Sequence, residues 1–137
     1  MSNWVGGNGD SPQNGYKGGW GLSAAGSTVA RKLSDILHPG PAMTWVLLDE
    51  RPESLNDGYF VVEMNGYSPT SLSSAELVDY PGIAHGGGCG FGFADGHSEI
   101  HKWVDAAIIA KMPPATTTYP AAQAKDIRWM QDRCSHQ

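Results

Sequence analysis

Three stretches of the chain carry a readable hydrophobic pattern. Met43-Thr-Trp-Val-Leu-Leu48 is a short apolar run, β-branched and aromatic enough to predict a buried strand, and it ends abruptly at Asp49-Glu50. Tyr59-Phe-Val-Val-Glu-Met64 predicts its antiparallel partner, reached through a connection, residues 51–58, that has turn chemistry at Asn56-Asp57-Gly58. The third stretch, Gly90-Phe-Gly-Phe-Ala-Asp-Gly-His-Ser-Glu-Ile-His-Lys-Trp103, predicts a β-hairpin turning at Asp95-Gly96. A two-residue type I′ turn needs φ > 0 at both central positions, which Asp-Gly supplies. In that register Ala94 faces His97, Phe91 faces Ile100 and Gly90 faces His101. Side chains alternate between faces, so Phe91, Phe93 and Ile100 are expected on a core face. His97, Glu99 and His101 are expected beside glycines on an open one.

Helical signals are weaker. Ser27 or Thr28 could cap a turn through Val29–Leu37 that Pro39-Gly40-Pro41 stops. Residues 104–112, ended by Pro113-Pro114, fit either helix or strand. Ile127, Met130 and Cys134 recur at i, i+3 and i+7, which predicts a short amphipathic helix within 123–134. Residues 65–84 read as irregular, with one helical turn started by Ser73 or Ser74, and residues 115–122 as a spacer. Residues 1–27 scatter glycines among Trp4, Tyr16 and Trp20, which suits an extended cover over the sheet. With 18 Gly and 9 Pro in 137 residues, the pattern predicts one α+β domain over 1–137. Its sheet is mainly antiparallel, with short helices and long Gly/Pro-rich loops.

Charge narrows the partners. A net charge of −5 with no Lys/Arg cluster argues against a nucleic-acid surface. No apolar run approaches the ~18 residues a membrane span requires, and no signal peptide opens the chain. The expectation is a soluble, cytoplasmic protein as written. Cys89 and Cys134 have no metal-ligand spacing, and two free thiols are favoured over a bridge.

His85, nine intervening residues and then Asp95-Gly96 resemble the His-x9-Asp-Gly signature of the prepilin-type processing-associated domain, the C-terminal globular part of pseudopilin-like proteins of type II secretion and type IV pili. Lys32-Leu-Ser-Asp-Ile36, Pro39-Gly-Pro41, Trp45-Val-Leu-Leu-Asp-Glu50, Asn56-Asp-Gly-Tyr-Phe60 and Phe93-Ala-Asp-Gly-His-Ser-Glu-Ile-His-Lys-Trp103 fit the same pattern. The resemblance covers most of residues 30–103 and implies an antiparallel sheet that packs against a long N-terminal helix. That apolar helix and its cleavage site are missing from the pattern here. A globular portion without its assembly helix is therefore expected, with homodimerisation through the sheet face the helix would cover. Family members are envelope-associated, and major pseudopilins commonly bind calcium in a C-terminal loop.

The candidate chemistry is acidic and histidine-based. Zinc is disfavoured, because His97 and His101 lie about 13 Å apart along a strand and tetrahedral ligands must converge. Calcium takes carboxylate and carbonyl oxygens from loops. Asp49, Glu50, Asn56 and Asp57 crowd one connection, and Asp95 would join them if the two hairpins are neighbours. His85, Asp95 and His97 form the one set that suggests catalysis. With an activated water, an imidazole base oriented by Asp95 could hydrolyse an ester or an acyl lactone. The competing explanation is local: Asp95 caps its own turn and His97 sits beside it. Two functions are therefore carried forward. One is a calcium-stabilised, pseudopilin-like structural domain; the other is a small metal-dependent ester or lactone hydrolase.

Overall fold

The computed structural model describes residues 1, 2, 5, 30, 32–64, 67–71, 73–110 and 117–134. They form an α+β structure with two antiparallel sheets. The larger sheet has strand order β1-β3-β4, from β1 (Trp45–Leu48), β3 (Gly88–Phe93) and β4 (Ser98–Lys102). The smaller pairs β2 (Ala75–Leu77) with β5 (Thr117–Tyr119). Two short helices, α1 (Ala106–Ile109) and α2 (Lys125–Gln131), and three 3₁₀ turns complete it. No helix among the described residues is long and apolar enough to cross a membrane. The cover predicted for 1–27 lies outside the described residues, apart from Met1, Ser2 and Val5.

The β3–β4 hairpin forms, but one residue out of the expected register. Phe91 pairs with Glu99, Gly90 with Ile100 and Cys89 with His101. The cause is the turn. Gly96 N–H donates to Phe93 O at 3.0 Å and Phe93 N–H to His97 O at 2.9 Å, which makes Ala94-Asp95-Gly96 a three-residue loop. Only Gly96 takes a positive φ, +96°, the left-handed position that closes such loops. Because the side-chain period is two, a one-residue slip exchanges the faces of the whole return strand. His97, Glu99 and His101 therefore share the core-side face with Phe91 and Phe93. Ile100, expected in the core, is 58% exposed on the face that carries Gly90 and Gly92.

A bulge in β1 makes the same sorting on the other side of β3. Trp45 pairs with Phe93, yet Leu47 pairs with Gly92 and Leu48 with Phe91. The extra residue turns Leu47 away from Trp45, so Trp45 is buried while Leu47 is 56% exposed. Trp45, Phe91 and Trp103 meet edge to face, with Phe60 on the far side of Trp45. Ile127 and Met130 of α2 close this core with Val62, Met64, Leu77 and Ile108.

The segment 59–64 does not pair with β1 as expected. It is extended, with Phe60, Val62 and Met64 buried, but its backbone bonds go elsewhere. Phe60 N–H donates to Met1 O, Val61 N–H to Asp79 Oδ2, and Val62 bridges Leu77. Residues 75–77 and 117–119, expected as a helical turn and a spacer, are the two strands of the smaller sheet. The helical turn expected over 29–37 is a 3₁₀ turn at Leu33–Asp35, and Val29 is not among the described residues. The C-terminal helix falls inside its expected range.

Polar groups lock β4 to the helices. Asp126, 1% exposed, accepts the N–H groups of Val104 and Asp105 at 2.8 and 2.7 Å on Oδ2 and meets His101 Nε2 at 3.1 Å on Oδ1. Asp105 Oδ2 in return accepts Asp126 N–H at 2.7 Å. The His101 ring lies flat on Trp129 of α2, centroids 3.8 Å apart. Asp126→Ala would strand the buried N–H of Asp105 and the part-buried N–H of Val104 and would leave His101 without its acceptor, and a buried donor left unpaired costs about 1–3 kcal/mol. Urea denaturation should show a loss of at least about 2 kcal/mol for Asp126→Ala, with Asp126→Asn clearly milder because one acceptor oxygen survives. Equal stability of wild type and Asp126→Ala would refute the clamp.

Candidate functional site

The face of the larger sheet opposite the core has almost no side chains on its central strand. Gly90 and Gly92 floor a groove of about 570 Å³, walled by Leu47 on one side and by Ser98 and Ile100 on the other. At its end His85 and Asp49 meet, Nε2 to Oδ2 at 3.0 Å, both well exposed. Local geometry brings them there. The loop after Ile83 folds back through Gly86 and Gly87, both at positive φ. Lys102 Nζ holds it by donating to the carbonyl oxygens of His85 and Gly86. Asp49 leaves β1 directly above Gly90, where an added Cβ would lie 3.1 Å from Asp49 Oδ2 and 3.8 Å from His85 Nε2. The pair thus sits closely over a glycine, and a Cβ there would make the Asp49 carboxylate give by a few tenths of an ångström.

The expected trio of His85, Asp95 and His97 is not assembled. Asp95 and His97 bond each other within the hairpin turn, Nδ1 to Oδ1 at 2.6 Å, and Asp95 also accepts His97 N–H. These bonds to His97 hold the Asp95 carboxyl below the usual range. The His97 ring stacks on Phe93 with centroids 4.4 Å apart. His85 partners Asp49 instead, a pairing of one expected catalytic residue with one expected metal ligand. A spacing argument along a single strand could not have found it, because the two are joined only through the β1–β3 pairing.

The five expected calcium ligands are likewise divided. Asp49 turns to His85 and Asp95 to His97, while Asp57 Oδ1 accepts Tyr59 N–H at 2.6 Å in its own turn. Asn56 is exposed in the same connection. Glu50 belongs to a different neighbourhood, one that includes Asp79, which sequence reading missed. Burial raises Glu50 above its ordinary value, offset by a hydrogen bond from Ser54, and the charges of Asp79 and Asp57 push the same way. Burial also raises Asp79, in spite of its bond from Val61 N–H. Glu50 Oε1 is buried without a hydrogen-bond partner. Among the described residues no three His, Cys, Asp or Glu side chains converge as a metal site would require.

The cysteines offer no nucleophile. Both are free and buried, and burial pushes the Cys89 thiol up to about 11 and Cys134 well above its usual value. Comparison with protein-family models, with curated proteins and with solved structures finds no match for this chain. The groove, the exposed pairs His85–Asp49 and His97–Asp95 and the acidic neighbourhood of Glu50 are the features able to carry chemistry.

The raised carboxyl of Glu50 sets a sign for stability. The folded state holds its proton more tightly than the unfolded chain, so ionised Glu50 opposes folding above its folded pKa. That penalty fades as pH falls toward the unfolded value. Glu50→Gln should raise the melting temperature by a few degrees at pH 7, with the gain shrinking toward pH 4. A loss of stability at pH 7 would show that ionised Glu50 is compensated in the fold.

Proposed function

We propose that this chain is a pseudopilin-like structural module, one that receives an apolar helix on the glycine face of its larger sheet. The observation that carries this reading is the groove between Leu47 and Ile100. Three glycines alternate on that face of β3, and the fold's own packing accounts for only two of them. At Gly88 an added Cβ would lie 2.5 Å from His101 O, and at Gly90 it would press on Asp49. At Gly92 it would meet nothing closer than Leu47 Cβ at 3.7 Å, an ordinary contact. Glycine weakens a strand, so a bare position without an internal cause suits an outside occupant. Exposed Leu47 and Ile100 supply apolar walls for one. The quoted sequence resemblance points to the same arrangement of sheet and helix.

Calcium enters this reading as a structural ion near Glu50. The buried, unpartnered Glu50 Oε1 is a hard donor of the kind calcium takes, and it would act with carbonyl and water oxygens rather than within a carboxylate cluster. Bound calcium would stabilise the folded state by mass action and would reverse the sign of the Glu50→Gln effect. Melting with added calcium and with chelator tests this. An unchanged melting temperature counts against the ion.

The Asp49–His85 pair favours a second reading, hydrolysis of an ester or acyl lactone in the same groove. With Asp49 holding Nε2, the imidazole is oriented and its Nδ1 remains to take a proton from water attacking a carbonyl. The apolar walls would seat an acyl chain.

One set of variants separates the two readings. Gly92→Leu fills the groove without crowding the backbone. A polar-flanked Leu/Ala helical peptide, titrated into ¹⁵N-labelled protein, should shift Leu47, Gly90, Gly92 and Ile100 in wild type and leave Gly92→Leu unmoved. Shifts confined to other surfaces, or none, reject the docking reading. Turnover of an acyl lactone and of a p-nitrophenyl ester, with calcium and with chelator, tests hydrolysis. Loss by 10²-fold or more, the order that a general base contributes, in His85→Ala but not in His97→Ala or Asp95→Ala would place catalysis in the groove. Activity that survives all three substitutions eliminates it.

A further inference from the structure

The larger sheet has two edges, and they are treated differently. The outer edge of β1 is occupied: Val46 O accepts Ser2 N–H at 2.9 Å, and Trp45 N–H donates to Arg133 O at 3.2 Å. β4 is the other edge. Its phase is fixed by Phe93 N–H to His97 O and Trp103 N–H to Gly87 O, which make His97, Glu99, His101 and Trp103 the residues bonded inward to β3. The backbone groups of Ser98, Ile100 and Lys102 therefore point outward. No bond from them to another segment occurs among the described residues. Residues 98–100 and Lys102 are exposed, with His101 half-buried.

The edge, open among the described residues, has a sequence that is complementary to itself. Laid antiparallel about a two-fold axis at Ile100, each exposed isoleucine packs against its own copy. Ser98 then faces the partner's Lys102, and Glu99 faces the partner's His101. No like charges are opposed, and the outward groups of Ser98, Ile100 and Lys102 are the ones such a pairing needs. Edge strands are blunted by proline, bulges or charged side chains, lysine above all; β4 has no proline, and its charged Glu99 and Lys102 fall opposite the partner's His101 and the partner's Ser98 rather than opposite like charges. We propose that two copies of this chain join through the free edges of β4, making one six-stranded sheet with Ile100 on the axis. This places the contact at the strand edge, beside the glycine groove, and does not depend on what the groove binds.

A single short strand edge buries less than the roughly 1,600 Å² of a standard stable interface. The association is therefore weak and visible at high concentration. Sedimentation equilibrium over a concentration series should show a monomer–dimer equilibrium for the wild type. Ile100→Pro removes an outward N–H and leaves the β3–β4 ladder intact, so it should be monomeric with an unchanged circular dichroism spectrum. Ser98→Glu, facing the partner's Lys102 twice per dimer, should tighten association by about three- to tenfold, and Ser98→Lys should loosen it by a similar factor. A wild type that stays monomeric at the highest concentration reached overturns the proposal, as does a folded Ile100→Pro that still dimerises. If Ile100→Pro fails to fold, the Ser98 variants decide: equal dimerisation constants for the two would overturn it.

Discussion

The glycine groove of the larger sheet depends first on the pairing register of β3 with β4. The three-residue loop closed by Gly96 sets it. In this register the aromatic residues of β3 look toward α2, and the glycines look outward. A two-residue loop would have put Ile100 in the core and left His101 beside the glycines. The bulge at Val46 does the matching job on β1, returning Leu47 to the glycine face after Trp45 has been spent on the core. Two local irregularities, one on each flank of β3, thus divide the sheet into a densely aromatic side and a nearly bare one.

The aromatic side binds its polar groups as tightly as its rings. His101 sits on the core face, where an imidazole needs both a stacking surface and a hydrogen-bond acceptor. Trp129 provides the first and Asp126 the second. Asp126 in turn satisfies the start of α1 through Val104 and Asp105. The C-terminal end of α1 is held by Arg51, whose guanidinium donates to Ile108 O and Ala110 O while its Nε reaches Pro81 O. So a helix of only four residues is fixed at both ends by side chains from elsewhere. Its stability comes from these contacts and from Ile108 in the core, since a single turn has almost none of its own.

Much of the architecture could be read from the sequence where the signal was local. The apolar run ending at Leu48, the Asp-Gly hairpin and the i, i+3, i+7 spacing of Ile127, Met130 and Cys134 each specify an element from within. What could not be read was decided by pairing at a distance. The segment 59–64 has the composition of a central strand, yet β3 occupies the edge of β1 that it was expected to take. Thr117–Tyr119 looks like a spacer because its strand character depends on Ala75–Leu77. The hairpin register turned on whether Asp95-Gly96 or Ala94-Asp95-Gly96 made the loop, and both are compatible with the same letters. From that one residue came the largest error, the exchange of His101 with Ile100 between faces. His97 and Asp95 were legible as neighbours; the meeting of His85 with Asp49 required the β1–β3 alignment.

The bare side imposes a condition on any occupant. Asp49 and His85 close one end of the groove, and a polar pair covered by apolar surface loses its hydration without gaining a partner. Because Ile100 sits beside Gly90, an apolar helix can lie along Leu47, Gly92 and Ile100 only if it presents a polar group toward Asp49 and His85. A small acyl substrate meets the condition differently, with its chain over Gly92 and its carbonyl toward His85. Both arrangements place a polar group over the β1 side of Gly90, under Asp49 and His85, and apolar groups against Leu47 beside Gly92 and Ile100 on the β4 side of Gly90. That polarity is a property of the surface itself. It means the groove discriminates by the order of apolar and polar groups in what it binds, whichever class of molecule that is.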